Sequence, residues 1–87
     1  MEWIVYILIS EKDKKRYTGS TNDLNRRLHE HNSGKVRSTK DRIPLRLIYK
    51  EEFLTEREAR LREKFFKTHK GFNALKKLID PGSSSVG

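Results

Sequence analysis

The order of apolar and polar positions predicts that the chain begins with a β-hairpin. Residues 3–9 form an uninterrupted run of β-branched, aromatic and aliphatic side chains, which is typical of a buried strand. A charged turn follows at residues 11–15, and residues 16–19 return as a second, shorter strand. These two strands are therefore expected to pair in an antiparallel hairpin.

The apolar spacing then changes to that of a helix, which is predicted for residues 24–32. One face of this helix is lined, at positions i, i+4 and i+7, by Leu24, Leu28 and His31. The four residues before it, 20–23, are all of types that cap helix N-termini. Gly34 suits the left-handed conformation that often follows a helix C-terminus.

A third strand and a second helix are predicted in the following part of the chain. Residues 33–44 are polar and basic and predict an exposed loop, whereas apolar residues alternate over residues 45–53 and predict a strand. Thr55 and Glu58 have the spacing of a capping box, which predicts a helix over residues 56–67.

The C-terminal segment predicts one more short amphipathic helix, at about residues 72–78. Residues 80–87 have no core-forming content and are predicted to be a disordered tail. With 87 residues, the chain is long enough for one domain, predicted over residues 1–79. The order β-β-α-β-α-α predicts an α/β (α+β) domain, with a mainly antiparallel three-stranded sheet flanked by helices.

Composition points to a polyanionic partner. Twenty Lys plus Arg residues against twelve Asp plus Glu give a formal net charge of +8, which favours DNA, RNA or an anionic membrane surface. The absence of cysteine excludes disulfides, thiolate zinc sites and thiol nucleophiles, and it fits a cytoplasmic location. The longest apolar run, residues 3–9, is far too short to span a membrane, so no membrane-spanning segment is expected, and a membrane is not assigned as the partner.

Four sequence segments, taken in order and with their spacing, form a pattern that points to a particular chemistry. Val5-Tyr6 in the first strand and Tyr17-Thr18-Gly19 in the second resemble the paired signature that names the GIY-YIG nuclease family. Residues 20–28, which include Arg27, are similar to its cap and first helix, and His31 follows one turn later. Residues 55–63 resemble the helix that bears the family's metal-binding glutamate.

The chain departs from the signature at two places. Its first triplet is Ile4-Val5-Tyr6, without the glycine, and its second contains Thr18 instead of isoleucine. Both tyrosines and Gly19 are kept. The resemblance covers about residues 3–73. Within the family, the chain resembles the small single-domain members and the N-terminal nuclease domain of the excinuclease subunit that makes the incision in excision repair.

The resemblance implies a metal-dependent DNA endonuclease that nicks phosphodiester bonds and needs no small-molecule cofactor beyond Mg²⁺ or Mn²⁺. Glu63 is expected to bind the metal, mostly through waters. Arg27 is expected to hold the scissile phosphate and to stabilise the transition state. Tyr6 is the candidate general base, Tyr17 is expected to orient the phosphate or the water, and His31 is expected to assist as a hydrogen-bond donor or proton relay.

DNA is the expected partner, and its contacts are assigned to the loop after the first helix. These contacts are Lys35, Arg37, Lys40 and Arg42, with Asn73 as the counterpart of a late asparagine in some members. The sequence contains no recognisable base-reading element, so low sequence specificity is expected. A role in DNA repair or recombination, and a protein partner or transient dimer, remain open from the sequence alone.

Other interpretations of the same residues also remain open. Each tyrosine could serve only packing, Arg27 could be a solvated charge, and His31 could complement the helix dipole. Glu63 could be an ordinary ion-pair partner of Lys67, with Glu56 or Glu58 as the metal ligand instead, although the capping box already accounts for Glu58. At the level of the whole chain, the alternative is a DNA- or RNA-binding module that retains the fold without the chemistry.

Overall fold

The first strand lies at the centre of an antiparallel sheet in the computed structural model, which describes residues 2–79. The strands are β1 (Trp3–Ser10), β2 (Arg16–Thr21) and β3 (Leu45–Phe53), in the order β2-β1-β3. The helices are α1 (Leu24–Asn32), α2 (Glu56–Phe66) and α3 (His69–Ile79), with a 3₁₀ turn at Lys40–Arg42. The predicted α+β fold and its element order are confirmed.

The alternation of side chains along β1 gives the sheet two apolar faces. Tyr6 and Leu8 point to one face, where they form a core with Leu45 against which Leu24 and Leu28 of α1 pack. We call this the α1 face. Because β2 is an edge strand, groups on both faces of the sheet can reach its outer edge.

The opposite face of the sheet is covered by α2 and α3, and we call it the α2 face. Val5 and Ile7 of β1 pack there against Ala59 and Phe66 of α2 and Leu75 of α3. All five side chains are at most 2% exposed, so the helical pair is held to the sheet mainly by the burial of apolar surface.

Side chains at the two predicted N-caps begin α1 and α2 as expected. The Asp23 carboxylate accepts from the Arg26 backbone N–H at 3.2 Å, and the Thr55 hydroxyl accepts from that of Glu58 at 3.2 Å. Gly34 has a φ of +81°, as the predicted left-handed conformation requires.

The third helix begins three residues earlier than residue 72, where the sequence placed its start. Gly71 lies inside α3, where an added Cβ would come within 1.8 Å of the Phe65 carbonyl oxygen. A glycine is therefore required for α3 to begin directly against the last turn of α2. The Thr68 hydroxyl caps this start, because it accepts from the Gly71 backbone N–H at 3.0 Å.

The prediction of an exposed loop over residues 33–44 is wrong in part. The loop contains the 3₁₀ turn and a completely buried residue, Thr39. Within residues 2–79, no helix is both long and apolar enough to cross a membrane. The tail predicted for residues 80–87 lies outside the described residues.

Candidate active site

Three aromatic side chains from separate elements meet on the α1 face of the sheet. Leu8 pairs with Tyr17 and Tyr6 with Gly19 across the hairpin, so both tyrosines point towards α1. The ring centroids lie 6.4 Å apart for Tyr6 and Tyr17 and 4.9 Å apart for Tyr17 and His31. The hairpin register and the helix spacing thus bring the predicted phenols and imidazole together.

Gly19 makes room for the phenol of Tyr6. A Cβ at this position would lie 2.5 Å from the Tyr6 hydroxyl oxygen and 2.6 Å from the carbon that bears it. The phenol therefore passes directly over the backbone of β2 and brings its hydroxyl towards the edge of the sheet.

His31 is completely buried, and both of its ring nitrogens have partners. Nε2 lies 3.0 Å from the Tyr6 hydroxyl, and Nδ1 lies 2.8 Å from the Thr39 hydroxyl. Burial, followed by the nearby Arg27 charge, lowers the pKa of His31 to about 4. The imidazole is therefore neutral near pH 7, which excludes a charged histidine that complements the dipole of α1.

In a neutral imidazole one ring nitrogen donates and the other accepts, and the hydroxyls of Tyr6 and Thr39 can each take either role. The Arg27 guanidinium lies near the Tyr6 oxygen and can only donate, so the arrangement in which the Tyr6 hydroxyl hydrogen points to His31 leaves the phenol oxygen facing Arg27 as an acceptor. Nε2 then accepts from the phenol, and Nδ1–H donates to Thr39. This arrangement aligns Thr39, His31 and Tyr6 as a chain of hydrogen bonds that ends at the sheet edge.

Arg27 is the cation of this cluster. Its contact with the Tyr6 hydroxyl, followed by its contact with Glu30, raises the pKa of the guanidinium above its ordinary value. The Glu30 carboxylate accepts from Nη1 at 3.0 Å, and 35% of the Arg27 side chain remains exposed. Arg27 thus has one contact inside the site and a solvent-accessible surface that an anion can reach.

The acidity of Tyr6 differs from the sequence-based expectation. To act as the expected general base, the Tyr6 phenol would need a pKa lowered by nearby cations, but burial raises the pKa of Tyr6 to about 12. Arg27 opposes this shift without cancelling it, while Tyr17 and Glu63 add to it. Tyr6 is therefore a neutral phenol in the protein as it stands.

Glu63 approaches the same edge of the sheet from the α2 face. Ser20 pairs with Val5, so its side chain lies on that face, where it donates to the Glu63 carboxylate at 2.6 Å. The other carboxylate oxygen accepts from Lys67 at 2.9 Å, in an ion pair that was one of the open interpretations. Ser20 follows Gly19 directly, so the carboxylate and the Tyr6 phenol flank the same segment of β2.

The donor set at Glu63 fits a hydrated magnesium or manganese ion. Mg²⁺ keeps several waters and is usually bound by only one or two carboxylates. In residues 2–79 there is no group of three or more His, Asp or Glu side chains able to form a metal cage. Glu63 would hold the ion through its carboxylate, with the Ser20 hydroxyl beside it. The ion would take the place of the Lys67 ammonium at the carboxylate.

The predicted DNA contacts divide into two groups. Lys35, Arg37 and Lys40 are not buried, and they remain available to a partner. The Arg42 side chain is instead 23% exposed and donates to the Asp13 carboxylate and to the Lys15 and Arg16 carbonyl oxygens. Arg42 therefore holds the β1–β2 turn against the loop and has a structural role.

Asn73 lies apart from the Tyr6 cluster, on the exposed side of α3. Its amide is 3.5 Å from the ring of His69, one turn earlier in the same helix. The structure therefore does not place Asn73 with the phenols and the imidazole.

Two polar residues of the site were missed by sequence reasoning. The sequence pattern assigns Ser20 only to the cap of α1 and Thr39 only to a polar loop. Because side chains alternate along a strand, Ser20 lies on the opposite face of β2 from Gly19. This alternation could have indicated a partner for Ser20 on that face. Nothing in the polar sequence around Thr39 distinguishes it from its exposed neighbours.

A family model described as the GIY-YIG catalytic domain matches residues 2–77. The chain belongs to the GIY-YIG family. Among its relatives in this family, UPF0213 protein YazA of Bacillus subtilis is 44% identical over 63 residues, or 71% of this chain. The chain spans 64% of the length of YazA.

Two further members of the GIY-YIG family match more of their own length. UPF0213 protein SERP0126 of Staphylococcus epidermidis is 40% identical over 75 residues, which are 85% of this chain and 90% of that protein. The solution NMR structure of UPF0213 protein BH0048 from Bacillus halodurans superimposes with a TM-score of 0.56 at 36% identity. That match covers 90% of this chain and 85% of the other.

Proposed function

We propose that this GIY-YIG protein is a divalent-metal-dependent DNA endonuclease that hydrolyses one phosphodiester bond per visit at the edge of β2. The observation that supports the proposal best is the hydrogen bond between the Tyr6 phenol and His31, with Arg27 beside the phenol. A buried tyrosine hydroxyl needs a hydrogen-bond partner for packing alone, but an imidazole and a guanidinium at the same hydroxyl exceed that requirement.

The neutral phenol suits a proton relay better than it suits a preformed phenolate. As water attacks phosphorus, it gives a proton to the Tyr6 oxygen while the phenol passes its own proton to Nε2 of His31. The bound phosphate anion favours this transfer, because a nearby negative charge raises the pKa of an imidazole. In this relay the ring proton lies on Nδ1, with Thr39 as its acceptor, and Nε2 is free to receive the proton of the phenol.

Arg27 and Tyr17 act on the phosphate. The guanidinium can form two parallel hydrogen bonds with phosphate oxygens and stabilise the negative charge that develops on them. Tyr17 packs against the His31 ring and offers its hydroxyl for orienting the phosphate or the water. A metal held by Glu63 would supply Lewis-acid stabilisation of the phosphate and the leaving oxygen.

Plasmid nicking with two matched glutamine variants tests this proposal. Glu63→Gln removes the carboxylate charge, so we expect nicking in Mg²⁺ to be abolished while the melting temperature changes little. Glu56→Gln is the control, because Glu56 lies on the same helix and was the alternative ligand. The ligand assignment is wrong if Glu63→Gln nicks plasmid at the wild-type rate. It is also wrong if nicking is lost in Glu56→Gln but not in Glu63→Gln.

A further inference from the structure

The exposed ring of Phe72 is an apolar feature on a strongly basic surface. Phe72 is 44% exposed, whereas the core of α3 is formed by Gly71 and Leu75. The Arg16 guanidinium lies 4.6 Å from the centre of the ring and covers part of it. The ring is thereby held in place by a cation–π contact without being buried.

The charge around Phe72 matches a polyanion. The sequence of α3 contains three lysines and neither aspartate nor glutamate. Lys76 lies one helical turn after Phe72, and both residues are exposed together with Asn73. Proteins that bind single-stranded nucleic acid combine exposed aromatic rings with basic side chains. The phosphates contact the cations, and the bases stack on the rings.

The Phe72 ring and the candidate active site lie along the same edge strand. Arg16 pairs with Ile9 and Ser20 with Val5, so both side chains point to the α2 face of β2. Four residues of strand separate them, or about 13 Å at ~3.3 Å per residue. Arg16 holds Phe72 and Ser20 holds Glu63, so the ring is a few nucleotides away from the carboxylate along a strand of DNA.

We propose that Phe72, held by Arg16, is a stacking platform for an unpaired base of the DNA strand that is cut. In a continuous duplex each base face is covered by its neighbours, so only unpaired nucleotides present a free face to the ring. The substrate class would then be DNA with a single-stranded segment beside the scissile phosphate. This inference rests on the proposed function for the identity of the strand, but its test measures binding alone.

The experiment compares the affinity for a labelled oligothymidylate with that for a fully paired duplex of equal length, by fluorescence anisotropy in EDTA. Phe72→Ala should weaken oligothymidylate binding about tenfold, the effect of losing one stacked base, and should leave duplex binding unchanged. Phe72→Trp should retain or strengthen single-strand binding. Phe72→Leu, which keeps an apolar side chain but no aromatic face, should behave like Phe72→Ala and serves if the alanine variant unfolds.

Leu78→Ala is the matched control, because Leu78 is also 44% exposed on the same helix and has no aromatic face. Its single-strand affinity should equal that of the wild type. Equal losses for Phe72→Ala and Leu78→Ala, wild-type binding by Phe72→Leu, or equal losses on duplex and single strand would overturn the stacking role. If nicking is observed but Phe72 variants bind normally, only this inference fails; a Phe72 effect without nicking contradicts only the proposed function.

Discussion

At the scale of single residues, His31 links structure and chemistry most closely. The sequence placed it one turn after Arg27, yet its complete burial follows from two partners that come from other elements, Tyr6 and Thr39. Spacing along one helix can place an imidazole on the correct stripe. It cannot show that a threonine from a polar loop will be buried against that imidazole, because such loop residues have no periodicity.

The lowered pKa of His31 predicts a pH dependence of stability. Between pH 4 and 6.5 the unfolded chain binds a proton on this residue that the folded protein does not, so the free energy of unfolding rises with pH over that window. The slope approaches ~1.4 kcal/mol per pH unit once the unfolded histidine is mostly protonated, so about 1.5 kcal/mol should be lost between pH 6.5 and 5. Denaturant unfolding at several pH values measures it.

Histidine variants isolate this contribution. His31→Gln should have a flat profile from pH 6.5 to 5, although its stability will be lower throughout. His29→Gln should retain the wild-type slope, because His29 lies on the same helix and is not buried. A wild-type slope in His31→Gln would mean that other groups produce the pH dependence.

At the scale of elements, the hairpin and the helix caps were predictable because their causes are local. Strand alternation, turn residues and the Thr55–Glu58 spacing depend on neighbours a few residues away. The start of α3 was not predictable, since Gly71 serves close packing against Phe65 rather than helix termination. The role of Arg42 was also missed, because its acceptors lie 26 to 29 residues away along the chain.

Gly19 tests how the hairpin positions the Tyr6 phenol. Gly19→Ala should cost ~1–3 kcal/mol of stability, because the added methyl group must displace a buried ring. Nicking measured at a temperature well below the melting temperature should also be slower, because the Tyr6–His31 hydrogen bond must lengthen. Thr18→Ala is the control on the same strand; nicking by Gly19→Ala at the rate of this control would contradict the positioning role.

At the scale of the whole molecule, the charge of +8 predicts mainly electrostatic DNA binding. Replacing Lys35, Arg37 and Lys40 by serine should reduce the slope of log K against log[salt] by about 0.9 for each phosphate that is no longer neutralised. Duplex binding between low and moderate salt measures this slope. An unchanged slope in the triple variant would place the DNA track elsewhere, with the lysines of α3 as the next candidates.

Arg42→Ser should behave differently from those three substitutions. Its guanidinium already has protein acceptors, so its removal should lower stability by ~1–3 kcal/mol and leave the salt slope unchanged. A flattened slope with unchanged stability would restore Arg42 as a DNA contact.

Single-turnover cleavage with saturating enzyme shows whether the cluster of Tyr6, His31 and Arg27 performs chemistry. Arg27→Ala should slow the chemical step by about 10²–10³, the usual effect of removing one transition-state stabiliser. Arg26→Ala should have little effect, because Arg26 is exposed and points about 100° away around the same helix. Equal and small effects of both substitutions would contradict the catalytic role of the cluster and favour a binding module.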